Sequence, residues 1–144
     1  MSCFSLPYKI RFEDCDPAGI VFYPRYILML HRFFEDWFDA GLGHSLGTIN
    51  VGLKVGFPVV NLQVRFQRAS RLEDILIWTL TVVGISKRTA TLAIKATCNG
   101  EKRLSIEITV VAVNLAAEDR IVSREIPAEI RDQMNKFLTE KTPH

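Results

Sequence analysis

The sequence predicts an α+β protein in which one antiparallel sheet curls around a long buried helix. Period-two apolar patterns recur after residue 58, as expected for successive strands. A single long apolar stretch at residues 26–38 has helical spacing and precedes these strands. The 144 residues, 48% of them hydrophobic, fit one domain over residues 1–144 with a sizeable core.

The charge and the scattered metal-binding residue types exclude several functions. A net charge of +2 argues against nucleic acid or a membrane as the main partner. The apolar runs are shorter than a membrane span, and residues 1–8 lack signal-peptide features, so a cytoplasmic protein is the simplest interpretation. Cysteine and histidine positions show neither disulfide nor zinc spacing, so no metal is expected. These positions are Cys3, Cys15, Cys98, His31, His44 and His144.

The first half of the chain reads as a strand, a loop and the long helix. Residues 8–13 alternate apolar and polar side chains, which predicts a strand. A loop over residues 14–23 follows, and Pro24 suits a first helical turn, where its missing N–H would have no partner. Apolar side chains cover most of the circumference over residues 26–38, so we expect this helix to be buried on most sides.

The second half reads as a Gly-rich loop and an antiparallel meander. We expect residues 41–58 to form a loop with one short strand or turn. The strand at 74–83 is apolar on both faces, so we expect cover on both sides. Asn99-Gly100 predicts a two-residue hairpin. The other expected elements are strands at 60–67, 90–96 and 104–112, a turn at 84–88, a helix at 127–138 and a frayed tail at 139–144. A cystatin-like or nuclear-transport-factor-like cone is a rival arrangement of a helix and a curved sheet, but it usually needs more helix before the sheet than this chain offers.

The loop before the helix is the main candidate for chemistry. Asp14 and Asp16 have an ordinary explanation, because Asp bonds nearby backbone amides in turns. Three features favour a chemical role for Asp16: Pro17 restrains the backbone, Gly19 allows close approach, and a helix start follows with free N–H groups. An acid beside an oxyanion donor suffices for attack on an acyl carbonyl.

Other reactive residue types have weaker support. Cys15 lacks an evident base, and its acidic neighbours disfavour a thiolate, so we interpret it as structural. His31 lies mid-helix, as a packing residue or a pocket lining. The turn at 86–88, with sequence Ser-Lys-Arg, is either a solvated hairpin tip or a phosphate clamp.

The pattern Asp-x-Asp-x-x-Gly at residues 14–19, within the segment DCDPAGIVFYP at 14–24, resembles the 4-hydroxybenzoyl-CoA thioesterase family of hot-dog fold proteins. The resemblance extends through the loop ending GFPVV at 56–60 and the meander. It implies a five- to six-stranded antiparallel sheet wrapped around a long central helix. It also implies a homodimer, often paired into a homotetramer, with each site at the subunit interface.

The resemblance also implies roles for individual residues. The catalytic carboxylate falls on Asp16, the oxyanion donor on the backbone N–H of Tyr23, and the loop-shaping glycine on Gly19. Related short-chain enzymes carry His at the position of Tyr23, which favours the aromatic-acyl branch. His31 stands where the 4-hydroxybenzoyl enzyme has an acidic residue near the acyl ring. The implied substrate-binding residues are His31, Val59, Ser86, Lys87 and Arg88.

The predicted function is hydrolysis of an aromatic or short-chain acyl-CoA, with Asp16 as nucleophile or general base. CoA is part of the substrate, and no cofactor is expected. One alternative is a non-catalytic acyl-thioester binding module or a partner of an acyl carrier protein. Another is a hot-dog dehydratase or isomerase, but such enzymes use a His–acid pair that neither His31 nor His44 matches.

Overall fold

Five antiparallel strands form the main sheet of the computed structural model, which describes residues 3–117 and 119–139. The strands are β1 (Phe4–Lys9), β2 (Val55–Gly56), β3 (Val59–Phe66), β4 (Ile75–Ile85), β5 (Thr89–Cys98), β6 (Glu101–Val111), β7 (Val113–Asn114) and β8 (Val122–Ser123); the α-helices are α1 (Tyr23–Asp36) and α2 (Ala128–Asn135). The main sheet has the order β1-β4-β5-β6-β3, and β2, β7 and β8 form a small second sheet.

Helix α1 packs its apolar stripe against one face of the main sheet. Phe33 is fully buried, and its ring centroid lies 5.7 Å from that of Trp78 on β4. A π-helical stretch, Trp37–Gly41, extends the helix, and Gly43 follows at φ +75°. The predicted α+β arrangement, a curled antiparallel sheet around a long helix, is therefore confirmed, with five strands in the main sheet.

The prediction that the helix is buried on most sides is wrong for the single protomer. Leu28 is 57% exposed and Tyr23 is 63% exposed, because one sheet covers only one face of a helix. The strand predicted at 74–83 is likewise covered on one face only. Trp78 is buried towards α1, whereas Ile75 on the opposite face is 52% exposed. Both apolar surfaces are open in the protomer.

The first strand lies earlier than the residue pattern predicted. Strand β1 ends at Lys9, and a 3-10 turn, Phe12–Asp14, replaces the second half of the predicted strand. Phe12 is 83% exposed, so the alternation there does not correspond to a buried face. β1 is an edge strand, and an edge position tolerates Pro7, which has no N–H to donate.

The remaining elements follow the prediction with three refinements, the first being that β4 extends to Ile85, two residues into the turn predicted at 84–88. Asn99 and Gly100 have φ +51° and φ +80°, as the predicted hairpin turn requires. The loop expected over 41–58 contains both the short strand β2 and a π-helical stretch, Thr48–Leu53. Helix α2 ends at Asn135, short of the predicted 138. Of the tail expected to fray, residues 140–144 lie outside the described part of the chain. No helix in the described ranges is both long and apolar enough to span a bilayer.

Tyr8 links the edge strand to α1, since its hydroxyl donates a 2.5 Å hydrogen bond to Asp36 Oδ2. Partial burial, together with this bond, raises the pKa of Tyr8 above its ordinary value. A raised pKa of the folded state means that the bond stabilises the fold fully below the unfolded pKa of about 10. This contribution is then lost as the pH rises through the folded pKa.

Tyr8→Phe is expected to lower the free energy of unfolding by about 1.5–3 kcal/mol near neutral pH, because Asp36 loses its donor. The difference in unfolding free energy between Tyr8→Phe and wild type should narrow above pH ~10, because only wild type has the Tyr8 hydroxyl bond to lose there. Urea unfolding at several pH values measures both effects. Tyr23→Phe, at an exposed tyrosine, serves as the control and should change neither the unfolding free energy nor its pH dependence. If the free-energy difference between Tyr8→Phe and wild type stayed constant with pH, this account would be contradicted.

Candidate active site

The loop between the 3-10 turn and α1 is closed by its own backbone hydrogen bonds. Cys15 and Val21 form an antiparallel bridge, and the Asp16 N–H donates to the carbonyl of Ile20 at 2.9 Å. The Gly19 N–H donates back to the carbonyl of Asp16 at 2.9 Å. Gly19 has φ +80°, a backbone conformation that residues with a Cβ rarely adopt. We therefore refer to residues 15–21 as the Asp16 loop.

Asp16 uses one carboxylate oxygen to shape this loop and leaves the other available. Oδ1 accepts the Ala18 N–H at 2.9 Å and the Ile20 N–H at 3.5 Å, which is the ordinary turn-forming role of Asp. Within the described residues Oδ2 has no protein partner. The side chain lines a cavity of about 490 Å³ together with Phe12, Cys15, Pro17, Gly19 and Leu72. The loop thus presents a partly free carboxylate at a cavity.

Asp14 is buried, and its side chain is not among those that line this cavity. Its carboxylate accepts the Arg11 N–H at 2.9 Å and the Arg25 Nε–H at 3.2 Å. Its backbone carbonyl accepts the Phe22 N–H at 2.9 Å. Only 7% of Asp14 is exposed. Asp14 therefore ties the start of the loop to the start of α1, whereas Asp16 remains accessible.

The N-terminus of α1 offers one free backbone donor next to the Asp16 loop. The helix begins at Tyr23, and its N-cap residue Phe22 has no side-chain cap. Pro24 has no N–H, and the Arg25 N–H donates a hydrogen bond to the carbonyl of Phe22 at 2.8 Å. In the described part of the chain the Tyr23 N–H has no hydrogen-bond partner. The helix dipole adds partial positive charge there, so the site can stabilise an oxyanion.

Cys15 is poorly suited to act as a nucleophile. Partial burial, followed by the negative charges of Asp14 and Asp16, raises the pKa of its thiol. Its Sγ–H points to the carbonyl of Arg11 at 3.6 Å. The thiol is therefore protonated near neutral pH, which agrees with the structural role predicted from its neighbours.

The other predicted site residues are not brought to Asp16 within one protomer. His31 lies on the exposed side of α1, about 12 Å along the helix axis from Tyr23. Val59 begins β3 and pairs with Val110 at the far end of the sheet. The 86–88 turn joins β4 to β5 at that same far end, about 33 Å along β4 from the Asp16 side.

The 86–88 turn is held in shape from its backbone side. Arg131 Nη2 donates to the carbonyls of Ser86 and Lys87, both at 2.7 Å. The Ser86 hydroxyl lies 2.6 Å from the Thr89 hydroxyl, so it also shapes the turn. Arg88 Nη1 donates to the Ser123 hydroxyl at 2.9 Å. Lys87 keeps an exposed side chain at the tip. The turn is therefore a fixed support for the exposed Lys87 side chain.

The sequence did not predict an ionic cluster beside the Asp16 loop. Arg103 Nη1 donates to Asp74 Oδ2 at 2.8 Å, and the Arg71 N–H donates to the same oxygen at 2.9 Å. The Arg71 amide and the Arg103 guanidinium lower the pKa of Asp74. Since 29 positions separate Asp74 from Arg103, no local pattern signals their contact, and each reads as an ordinary surface charge.

A five-stranded sheet curled over one long helix, with an acidic glycine loop at the helix start, defines a hot-dog fold protein. The model of the thioesterase-like superfamily matches residues 10–135, and the chain belongs to that family.

Curated relatives and solved structures agree with this assignment. The chain is 33% identical over 73 residues to 4-hydroxybenzoyl-CoA thioesterase of Pseudomonas sp. strain CBS-3, covering 50% of this chain and 52% of the relative. It is 27% identical over 73 residues to acyl-CoA thioesterase YbgC of Haemophilus influenzae, covering 51% and 53%. The chain thus spans about half the length of these relatives. The crystal structure of a 1,4-dihydroxy-2-naphthoyl-CoA thioesterase from Synechocystis superposes with a TM-score of 0.82 at 18% identity, covering 93% of this chain and 96% of the other.

Proposed function

We propose that this protein is an acyl-CoA thioesterase in which Asp16 acts as nucleophile or general base and the Tyr23 N–H stabilises the oxyanion. The observation that carries the proposal is that, among the residues the structure describes, the Tyr23 amide at the start of α1 and one oxygen of the nearby Asp16 carboxylate have no hydrogen-bond partner. Family membership and the names of the curated relatives support the same activity. A carboxylate and a backbone donor supply the chemistry without a step assigned to a metal or cofactor.

Two routes are compatible with this arrangement. In the first, Asp16 attacks the thioester carbonyl carbon, the C–S bond breaks, CoA leaves as a thiolate that is then protonated, and water cleaves the resulting anhydride. In the second, Asp16 accepts a proton from water as the water attacks the same carbon; the C–S bond then breaks, and CoA leaves as a thiolate that is protonated. Single turnover in ¹⁸O-water tests for the anhydride route. Label in the Asp16 carboxylate indicates the anhydride route, because direct attack by water labels only the acid product. Label in the acid product alone fits the water route and also an anhydride that water cleaves at its acyl carbon.

The proposed acyl group is aromatic, with short-chain acyl groups as the second candidate. Tyr23 at the helix start favours the aromatic branch in the family resemblance, and His31 is proposed to lie on the acyl side. One curated relative is named for 4-hydroxybenzoyl-CoA and another for acyl-CoA in general. Gly19 is proposed to let the thioester approach the loop backbone, since it carries no Cβ.

We also propose that the active form is a homodimer, or a homotetramer made from two such dimers. β3 is an edge strand, and the side of it that continues the helix-facing surface is apolar and exposed. On this side Val60 is 59% exposed, Leu62 41% and Phe66 52%. An uncovered apolar edge of this kind favours pairing with a second strand.

Antiparallel pairing of two β3 strands would complete the site. Val59 lies at the end of the sheet that carries the 86–88 turn, and Phe66 lies at the end next to the Asp16 loop. A two-fold axis across β3 places the Val59 end of one protomer beside the Asp16 end of the other. Val59, Ser86, Lys87 and Arg88 would then serve the partner's Asp16, which explains their separation within one chain.

Lys87→Ala is expected to raise KM for acyl-CoA about 2- to 5-fold with little change in kcat, because one exposed cation is lost from the CoA phosphates. The turn itself should persist, since Lys87 supports it through its backbone carbonyl. The effect should shrink at high salt. Lys95→Ala, at an exposed lysine on β5, is the control. Equal KM values for wild type and Lys87→Ala at low salt would remove Lys87 from CoA binding.

Free-thiol release from a panel of acyl-CoAs tests the proposed activity directly. The panel should contain benzoyl-, 4-hydroxybenzoyl-, acetyl- and butyryl-CoA. We expect at least one aromatic thioester to be hydrolysed with kcat/KM above about 10⁴ M⁻¹s⁻¹. Tight binding of acyl-CoA with no thiol release would instead support the non-catalytic binding module.

A further inference from the structure

The Asp16 loop is fastened to a neighbouring stretch, residues 67–74, which connects β3 to β4. The Val21 N–H donates to the carbonyl of Ser70 at 2.9 Å, and Ile20 forms an antiparallel bridge with Arg71. Ser70 is fully buried. We call residues 67–74 the bracing segment, because the second half of the Asp16 loop has its backbone contacts there.

The bracing segment also holds the chain before the loop. The Ile10 N–H donates to the carbonyl of Asp74 at 2.8 Å, and the Glu73 N–H donates to the carbonyl of Ile10 at 2.9 Å. Glu73 has φ +76°, which is uncommon for a residue with a side chain. The bracing segment therefore forms backbone hydrogen bonds with the chain on both sides of the Asp16 loop. Within this segment, Glu73 adopts a backbone conformation that is unfavourable for a residue with a side chain.

Arg103, near the start of β6, binds the bracing segment through a single guanidinium nitrogen. Its Nη1 donates to Asp74 Oδ2 at 2.8 Å, to the carbonyl of Ala69 at 3.2 Å and to the Ser70 hydroxyl at 3.2 Å. The carbonyl of Arg103 accepts the N–H of Gln67 at 2.9 Å. The Arg103 side chain is only 13% exposed, so these contacts are shielded from water.

Charge balance and geometry make arginine hard to replace at this position. Glu101 Oε1 lies 2.9 Å from Arg103 Nε as an ion pair rather than an aligned hydrogen bond, so two carboxylates face the guanidinium. A planar guanidinium presents five donors in a rigid fork, whereas an ammonium has three donors on a flexible stem. Removing the cation would leave the Asp74 carboxylate with the Arg71 N–H but without its ion-pair partner inside a partly buried cluster.

We propose that Arg103 is a positioning residue for the reaction. By clamping the bracing segment it holds Ile20 and Val21, and through them the Asp16 carboxylate and the Tyr23 amide, in the geometry for attack. This inference rests on the proposed thioesterase function. A displacement of about 1 Å at a catalytic group can cost about 100-fold in rate, so loosening the segment should lower kcat more than substrate affinity.

Arg103→Met tests the proposal, with Arg103→Lys as a conservative variant and Lys102→Met as the matched control on the adjacent exposed residue. We expect Arg103→Met to lower kcat about 10- to 100-fold with KM within about threefold. Arg103→Lys should recover part of the loss, and Lys102→Met should resemble wild type. Amide hydrogen exchange followed by mass spectrometry should be faster for residues 16–23 and 67–74 in Arg103→Met, and unchanged in the centre of β5.

Two results would overturn the positioning role. One is unchanged exchange in residues 16–23, and the other is faster exchange throughout the sheet, which would indicate general destabilisation. If Arg103→Met does not fold, Arg103→Lys decides by the same exchange pattern, because it keeps the charge. A wild-type protein that hydrolyses no acyl-CoA would overturn the proposed function, while the exchange data would still decide whether Arg103 orders the Asp16 loop.

Discussion

Asp16→Asn is expected to reduce kcat for acyl-CoA hydrolysis by about 10²- to 10⁴-fold, because an amide is neither a nucleophile nor a base at this position. The loop should keep its shape. An Asn side-chain oxygen can accept the same Ala18 and Ile20 amides that Oδ1 accepts now. KM should therefore change little, and the loss should appear in kcat alone. Steady-state thiol release across the acyl-CoA panel measures both constants.

Two further variants make the Asp16 result specific. Cys15→Ser is expected to retain most activity, because the raised pKa of the thiol keeps it protonated. Asp39→Asn, at an exposed carboxylate beyond α1, controls for the loss of one negative charge. Near-normal turnover by Asp16→Asn would exclude this carboxylate from the mechanism, and a large loss in Cys15→Ser would make the thiol the better candidate.

Leu62→Glu is expected to convert the protein to a monomer and to lower activity about 100-fold or more, since half of each proposed site would be lost. Leu62 lies mid-way along β3 and is 41% exposed, so the protomer itself should tolerate a charge there. A dimer would instead bury two opposed carboxylates at its centre. Sedimentation at micromolar concentration gives the oligomeric state, and thiol release gives the activity.

Ile77→Glu is the matched control for the interface. Ile77 is 39% exposed, close to the exposure of Leu62, but it lies on the opposite face of the sheet. This variant is expected to remain at least dimeric and active, even if it separates a tetramer into dimers. An active monomer in Leu62→Glu would show that one protomer contains a complete site and would contradict the proposed pairing.

Features encoded in contiguous residues were predicted well. The apolar stretch at residues 26–38 places the long helix, and Asn99-Gly100 specifies its hairpin through positive φ at both positions. Pro24 predicted a helix start with free N–H groups, and in the described part of the chain the Tyr23 N–H at that start has no hydrogen-bond partner. The sequence distinguished Asp14 from Asp16 only by position in the loop. The structure explains why Asp14 is buried and Asp16 accessible, because the Asp14 carboxylate accepts hydrogen bonds from Arg11 and Arg25.

Features that depend on distant contacts could not be predicted in the same way. The alternation over residues 8–13 suggested a strand, but β1 pairs with β4 in a register that ends it at Lys9. Which faces stay open also depends on the whole sheet. Leu62 and Leu28 look like core residues by composition, yet the single layer leaves both exposed.

By itself, the sequence determined the fold class, the helix start and the carboxylate that faces a cavity, because local backbone preferences and apolar spacing act over a few residues. Only the tertiary structure decided that Arg103 meets Asp74 beside the Asp16 loop and that Tyr8 meets Asp36. It alone also placed Val59 and Lys87 at the far end of the sheet from Asp16. Such contacts arise from strand order and register, which bring together residues that are distant in the chain. The residues flanking either partner therefore carry no pattern that predicts the contact.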